Sequence, residues 1–148
     1  MNSNLVIRKM TNEDVPFVAA IEKETFSMPW SESSFKDALA NAENIYMVAE
    51  VDGNIAGYCG MWKSFNEGQI YNVCVRKDMR KKGIGEKLFC AFLEEGIKKG
   101  MSAFTLEVRA GNKGAVALYE KCGFENVGTR KNFYDNPKED AIIMWKYI

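Results

Sequence analysis

The sequence YNVCVRKDMRKKGIG, residues 71–85, joins a run of β-branched and aromatic residues to a basic turn that contains glycine. The run from Gln69 to Val75 has the composition of a strand. Beyond the turn, apolar residues recur at helical spacing until Gly100, where glycine predicts the end of a helix: Ile84, Leu88, Phe92 and Leu93. These residues therefore predict a strand, a basic turn and a helix in direct succession.

The basic turn has the character of an anion-binding site. Five of the seven residues from Arg76 to Lys82 are basic, and Gly83 and Gly85 allow successive backbone N–H groups to point at one spot. A helix N-terminus adds about half a positive charge there, which suits a pyrophosphate. The pattern is neither a P-loop nor a Rossmann fingerprint. The residues alone favour equally a phosphate site and a solvated basic turn that begins a helix.

The flanking sequence predicts an α/β domain with a mixed sheet that spans residues 1–148, in the order β-α-α-β-β-β-α-β-α-β-β. Thr11 is expected to cap the first helix, and Phe26–Trp30 interrupts it before Ser31 begins a second. Asn112 and Gly123 bracket a last helix, and Asp52-Gly53-Asn54 predicts a hairpin. The predicted strands are Leu5–Lys9, Ile45–Val51, Ile55–Met61, Gln69–Val75, Phe104–Arg109, Glu125–Arg130 and Ala141–Tyr147.

Composition narrows the chemistry. The 148 residues are 47% hydrophobic and 27% charged, with 20 basic and 20 acidic residues, so no long-range field attracts nucleic acid or an anionic membrane. The chain has no histidine, which excludes Ser–His–Asp hydrolases, Cys–His proteases and HExxH metalloenzymes. Carboxylate, tyrosine, lysine, cysteine and backbone groups remain as candidates for catalysis.

The cysteines argue for a reducing compartment. Cys59, Cys74, Cys90 and Cys122 form no CxxC pair, so a zinc ribbon or a thioredoxin-type site is not expected, and no metal site is predicted. The sequence begins without the apolar core of a signal peptide, and no apolar run approaches the ~18 residues of a membrane span. We therefore expect a cytoplasmic protein.

Three polar residues are candidates for function, each with a structural alternative. Strand alternation places Glu107 and Arg109 on one face, where Glu107 is either a general base made more basic by burial in a cleft or a surface partner of Arg109. Tyr119 has the position of a core aromatic with a hydrogen-bonded hydroxyl. Asn112 has the position of a helix N-cap.

The arrangement of several motifs resembles the GNAT family of N-acetyltransferases. Arg80-x-x-Gly83-x-Gly85 is similar to the family's acetyl-CoA-binding motif, and the second half matches at residues 106–112 and 117–124. Two further blocks resemble family members that acetylate the N-terminal alanine of a ribosomal protein: Phe26-x-x-Pro29-Trp30-Ser31, and Arg130-x-x-x-Tyr134 with Glu139–Met144. The resemblance runs from Thr11 to Met144. One departure is Gly111, where such sequences more often carry serine.

The resemblance implies a GNAT-like sheet whose central parallel strands, here 69–75 and 103–109, splay apart to admit the pantetheine arm of acetyl-CoA. The arm would pair with the strand edge at Val73, Cys74 and Val75, beside Arg80. The pyrophosphate would bind the N–H groups of a contiguous segment, namely Lys81, Lys82, Gly83, Ile84, Gly85 and Glu86. Asn112 would contact acetyl-CoA near its thioester.

The resemblance also implies roles in catalysis. Glu107 would accept the proton of the attacking amine, directly or through water, and Tyr119 would protonate the leaving thiolate. Trp30 and Tyr134 would line the acceptor groove or merely pack the loops. The expected acceptor is the N-terminal alanine of small-subunit ribosomal protein eighteen, with no nucleic acid or membrane partner. The alternatives are another protein N-terminus, a small amine, or a catalytically silent module that binds acetyl-CoA.

Overall fold

A mixed sheet of seven strands carries helices on both faces in the computed structural model, which describes residues 4–135 and 137–148. The order of elements predicted from the sequence is confirmed, with short 3-10 turns added at Asn12–Asp14 and Lys77–Met79. The strands and helices are β1 (Leu5–Lys9), α1 (Val15–Thr25), α2 (Glu32–Ala40), β2 (Ile45–Val51), β3 (Asn54–Ser64), β4 (Glu67–Val75), α3 (Ile84–Lys98), β5 (Ala103–Arg109), α4 (Lys113–Lys121), β6 (Glu125–Tyr134) and β7 (Glu139–Tyr147).

The two central strands separate part of the way along their length. The sheet order is β1-β2-β3-β4-β5-β7-β6, and β4 and β5 are parallel neighbours joined through α3. Their pairing begins at Glu67 with Ala103 and ends at Ile70 with Leu106. Residues 71–75 of β4 therefore have no partner strand on that side. The gap between these residues and the end of β5 is the predicted splay.

A β-bulge accounts for the separation. On the other side of β4, Gly60 pairs with Asn72 and Met61 pairs with Ile70, which leaves Tyr71 as the extra residue. A bulge bends its strand and increases the local twist. Because the bulge falls at the residue that follows the last pair with β5, it turns the end of β4 away from β5.

Two apolar layers fix the sheet between its helices. On one face α3 and α4 pack against β4 and β5, with Leu88, Phe92 and Phe104 almost completely buried. On the other face α1 and α2 pack against β2 and β3, around Phe35 and Tyr58. The face covered by α3 and α4 is called here the donor face, and the face that carries α1 and α2 is called the acceptor face.

Local sequence explains where these elements begin and end. The Ser31 hydroxyl accepts a hydrogen bond from the Ser34 N–H (3.1 Å) at the start of α2. Asp52 and Gly53 both have positive φ, as a tight hairpin turn requires. Strands β3 and β6 extend past the predicted Met61 and Arg130, because pairing with their neighbours continues there. Within the described residues, none of the helices combines the length and the apolar character needed to cross a bilayer.

Candidate active site

The end of β4 presents an open strand edge to the splay. Val73 packs towards the donor face, whereas Cys74 is buried towards the acceptor face. Burial raises the pKa of the Cys74 thiol, so this cysteine is a poor nucleophile at neutral pH. The carbonyl of Val75 accepts a hydrogen bond from Arg80 Nε (2.9 Å), which ties the strand end to the basic turn.

The start of α3 offers a series of free backbone donors. Among the described residues, the N–H groups of residues 81–86 donate to no backbone carbonyl. Gly83 has φ +79°, which any residue with a Cβ adopts only under strain. The side chains of Arg80, Lys81 and Lys82 are exposed beside these donors. This region therefore combines unpaired N–H groups, a helix N-terminus and positive charge.

The first turn of α3 lies directly against the end of β4. A Cβ on Gly85 would lie 3.3 Å from Val75 Cγ2, so the two elements approach closely where the basic turn joins them. Glu86 turns to α4, where its carboxylate pairs with Lys121 Nζ (3.0 Å). The open edge and the free donors together fit a ligand that has an extended polar chain and a phosphate group at one end.

Glu107 lies at the other side of the splay and differs from the expectation in two ways. Its side chain is 31% exposed, so the predicted burial is wrong. Its carboxylate lies 3.6 Å from Arg130 Nε on β6, and Arg109 instead pairs with Glu139 (3.3 Å). The predicted Glu107–Arg109 surface pair is therefore also wrong. Since Leu106 and Val108 pack on the donor face, Glu107 projects from the acceptor face.

Tyr119 approaches the splay from the donor face. It is 6% exposed and packs against Phe89 and Phe124, with ring centroids 5.2 and 6.1 Å away, which confirms its ring as part of the core. No hydrogen-bond partner for its hydroxyl is found in residues 4–135 and 137–148, contrary to the expected satisfied hydroxyl. Burial raises the pKa of Tyr119 far above its ordinary value, and nearby Cys59, Cys74 and Tyr134 raise it further. The hydroxyl therefore stays protonated at neutral pH.

Asn112 is placed as a helix cap. Its side-chain oxygen accepts a hydrogen bond from the Ala115 N–H (3.2 Å) at the start of α4. This contact satisfies one of the free donors of that helix. The predicted contact between Asn112 and acetyl-CoA stays a prediction.

Trp30 is anchored to the acceptor face by a buried carboxylate. Glu22 on α1 is 4% exposed, and it accepts hydrogen bonds from the Trp30 N–H (3.0 Å) and the Tyr58 hydroxyl (2.7 Å). Burial raises the pKa of Glu22. The sequence holds a signal for this residue, because Glu22 continues the apolar spacing of Val15 and Val18, where a charged residue is out of place.

The two predicted groove residues lie on opposite sides of the splay. Trp30 packs against Phe35 (5.3 Å between ring centroids) on the side of β4. Tyr134 lies on the side of β5, where the Arg109 guanidinium is 4.4 Å from its ring centroid. Burial raises the pKa of Tyr134 to about 12. Trp62 packs against Trp30 and Tyr71 packs against Trp62, and neither residue was predicted from the sequence as part of the site.

Comparison with known proteins shows that this chain is similar to N-acetyltransferases. The model of the Acetyltransferase (GNAT) family matches residues 15–124. A Bacillus subtilis (strain 168) protein, provisionally named a ribosomal protein bS18-alanine N-acetyltransferase, is 39% identical over 100% of this chain and 99% of its own. The ribosomal protein bS18-alanine N-acetyltransferase of Escherichia coli (strain K12) is 31% identical over 93% of this chain and 94% of its own.

A solved structure extends this similarity to three dimensions. The crystal structure of the ribosomal-protein-S18-alanine N-acetyltransferase from Escherichia coli superimposes with a TM-score of 0.90. The match covers 98% of this chain and 94% of that chain, at 31% sequence identity. Within the part of the chain that the structure describes, no three or more cysteine, aspartate or glutamate side chains are grouped as metal ligands would be.

Proposed function

The chain belongs to the GNAT family of N-acetyltransferases, and on this premise we propose that it transfers the acetyl group of acetyl-CoA to the N-terminal alanine of ribosomal protein bS18. One observation carries the transfer chemistry: the splay has free backbone donors at one end and Glu107 and Tyr119 on its opposite faces. The choice of acceptor is supported by the names of relatives that match over almost their whole length.

The donor side follows from the open edge and the basic turn. Acetyl-CoA supplies the thioester that an amine attacks. Val73, Cys74 and Val75 would hydrogen-bond its pantetheine arm through the unpaired strand edge. The free N–H groups of residues 81–86 would hold its pyrophosphate, assisted by Arg80, Lys81 and Lys82. These contacts would hold the pantetheine arm and the pyrophosphate, and they would thereby place the thioester in the splay.

On the acceptor face Glu107 would receive the proton of the amine. An N-terminal amine has a pKa of about 8, so roughly a tenth is unprotonated at neutral pH, whereas a lysine side chain with a pKa of about 10.4 is almost wholly charged. A modest base is therefore enough, and an exposed carboxylate reached through water suits this task. The ion pair with Arg130 holds the Glu107 side chain at the splay.

On the donor face Tyr119 would give its proton to the departing thiolate. Its raised pKa keeps the hydroxyl protonated throughout the range in which the amine is reactive. Burial would also raise the pKa of a thiol beside Tyr119, so burial does not by itself oppose proton transfer from the hydroxyl to the thiolate. The nitrogen–carbon bond forms as the carbon–sulfur bond breaks, the amine proton goes to Glu107 and the Tyr119 proton goes to sulfur. Solvent then restores the Tyr119 proton and accepts the proton that Glu107 received.

This acceptor would place the enzyme in the cytoplasm, where ribosomal proteins are made.

The experiment is an acetyl-transfer assay on peptides that differ only in residue one, with a polyamine and free lysine alongside. We expect the highest kcat/KM for alanine, lower values for serine and glycine, and poor transfer to bulky residues. Faster transfer to the polyamine or to lysine would refute the ribosomal acceptor, and acetyl-CoA binding without transfer to any acceptor would indicate a silent binding module.

A further inference from the structure

Tyr71 occupies the vertex of the splay. It is the extra residue of the bulge between β3 and β4, and the pairs on either side of it join Asn72 to Gly60 and Ile70 to Met61. On its other side, pairing with β5 ends at Ile70. Tyr71 therefore has no registered partner in either neighbouring strand, and it is the first residue of β4 that faces the open gap.

The side chain of Tyr71 lies on the acceptor face, across the gap from Glu107. Ile70 and Leu106 are paired and both pack in the donor-face core, so Gln69 and Glu107 project to the acceptor face. The Tyr71 hydroxyl donates a hydrogen bond to Gln69 Oε1 (2.8 Å), which keeps Tyr71 on that same face. Tyr71 therefore borders the acceptor-face opening of the splay on the β4 side, opposite Glu107 on β5.

Tyr71 is held firmly although it is exposed. Its ring packs edge-on against Trp62, with centroids 5.5 Å apart. Trp62 Nε1 donates to the Tyr46 hydroxyl (3.0 Å), which donates to the buried Asn72 Oδ1 (3.0 Å). Tyr71 is nevertheless 54% exposed and Trp62 is 40% exposed. Their ring faces form a fixed apolar surface that borders the path of the acceptor.

We infer that Tyr71, supported from behind by Trp62, is the wall that limits the size of the acceptor's first side chain. This inference rests on the proposed function and adds to it the residue that selects alanine. When the α-amine lies between Glu107 and the thioester, the α-carbon is one bond away, and its substituent on the β4 side meets the Tyr71 ring. A methyl group fits against that ring, whereas a longer side chain collides with it.

The test compares kcat/KM for two peptides that differ only in having alanine or leucine first. In Tyr71→Ala we expect the alanine-to-leucine ratio to fall at least about tenfold, since apolar pockets discriminate by roughly 10–200-fold. Tyr71→Phe keeps the ring and should keep the ratio. Tyr71→Trp enlarges the wall and should raise the alanine-to-leucine ratio. Tyr147→Ala removes an exposed tyrosine at the far end of the sheet and is the matched control.

The outcomes separate this inference from the function beneath it. Affinity for acetyl-CoA, measured by calorimetry, should be unchanged in every Tyr71 variant that unfolds at the wild-type temperature. If the wild-type enzyme acetylates alanine peptides but the alanine-to-leucine ratio is unchanged in both Tyr71→Ala and Tyr71→Trp, the inference about the wall is wrong and the proposed function stands. A wild-type enzyme that acetylates no peptide overturns the proposed function and the wall together. If Tyr71→Ala fails to fold, the alanine-to-leucine ratio of Tyr71→Trp is the test: a higher ratio supports the wall, and an unchanged ratio overturns it.

Discussion

The buried carboxylate of Glu22 accepts a hydrogen bond from the backbone N–H of Trp30 at 3.0 Å. This contact fixes the segment between α1 and α2, because its other oxygen is held by the Tyr58 hydroxyl inside the core. Trp30 in turn packs edge-on against Trp62, with ring centroids 6.5 Å apart. A carboxylate on one helix thus positions the aromatic surface beside the splay.

Replacing Glu22 by Gln is expected to loosen that segment without disturbing the donor site. Glutamine offers one acceptor oxygen to two donors, and a buried donor left unsatisfied costs about 1–3 kcal/mol. We expect a higher KM for an alanine peptide, an unchanged Kd for acetyl-CoA, and an unfolding free energy lower by that amount. Steady-state kinetics, calorimetry and urea unfolding measure the three quantities. Glu24→Gln, at an exposed position of the same helix, should change none of them.

The same residue predicts a pH dependence of stability. Burial raises the pKa of Glu22 above its ordinary value of 4.5, so the folded chain binds this proton more tightly than the unfolded chain does. Its contribution to stability is therefore complete below pH 4.5 and declines as the pH rises through the folded pKa. The unfolding free energy of the wild type, minus that of Glu22→Gln, should fall over this interval. A difference that is constant with pH contradicts the assignment.

The phosphate site is tested by two glycines at the two ends of α3. Gly83 and Gly100 have φ of +79° and +87°, and a Cβ at either would meet nothing within 4 Å. Alanine should therefore strain both positions alike, by about 1 kcal/mol. Because Gly83 belongs to the segment with free N–H groups, we expect a methyl group there also to hinder the approach of a pyrophosphate. We expect calorimetry to show at least about a tenfold loss of acetyl-CoA affinity in Gly83→Ala only. Equal affinities in the two variants would remove the phosphate site from this turn.

The general base is tested by Glu107→Gln. This change keeps the shape of the side chain and removes its ability to take a proton, so kcat should fall by roughly 10²–10⁴. The loss should be greatest at acidic pH, where the free amine is scarce, and the Kd of acetyl-CoA should not change. Glu125→Gln on the exposed face of β6 is the control. Wild-type turnover in Glu107→Gln across the pH range would remove the role of general base from Glu107, and wild-type turnover in Tyr119→Phe as well would leave proximity as the source of rate.

Tyr119→Phe tests the general acid. The ring that packs on Phe89 remains, and because the hydroxyl has no partner among the described residues, stability should be almost unchanged. We expect kcat to fall by about 10² or more, with acetyl-CoA affinity retained. Because burial raises the pKa of Tyr119, its hydroxyl should not ionise below pH ~10. Below that pH, the rates of the wild type and of Tyr119→Phe should therefore change with pH in the same way. Tyr147→Phe removes an exposed hydroxyl and serves as the control.

The sequence predicts the helices and strands better than it predicts the contacts between them. Gly83 and the spacing from Ile84 to Leu93 mark the start and the inner face of α3, because helix starts and apolar periodicity are local properties. The bulge at Tyr71 has no local signature, since it is defined by the register with Gly60 and Met61. Likewise, Glu107 and Arg130 meet only because β7 brings β6 near β5. Predicting that pair requires the strand order, which residue spacing does not supply.

The proposed reaction of this enzyme is acetylation of the α-amine of the N-terminal alanine on ribosomal protein bS18. The most direct measurement incubates unacetylated bS18 with the enzyme and acetyl-CoA and then locates the modification by tandem mass spectrometry. We predict the mass of a single acetyl group on the N-terminal alanine, unmodified lysines, and no product with Glu107→Gln in the same time. Acetyl groups on lysine side chains, or an unmodified bS18 beside an acetylated small amine, would contradict the claim.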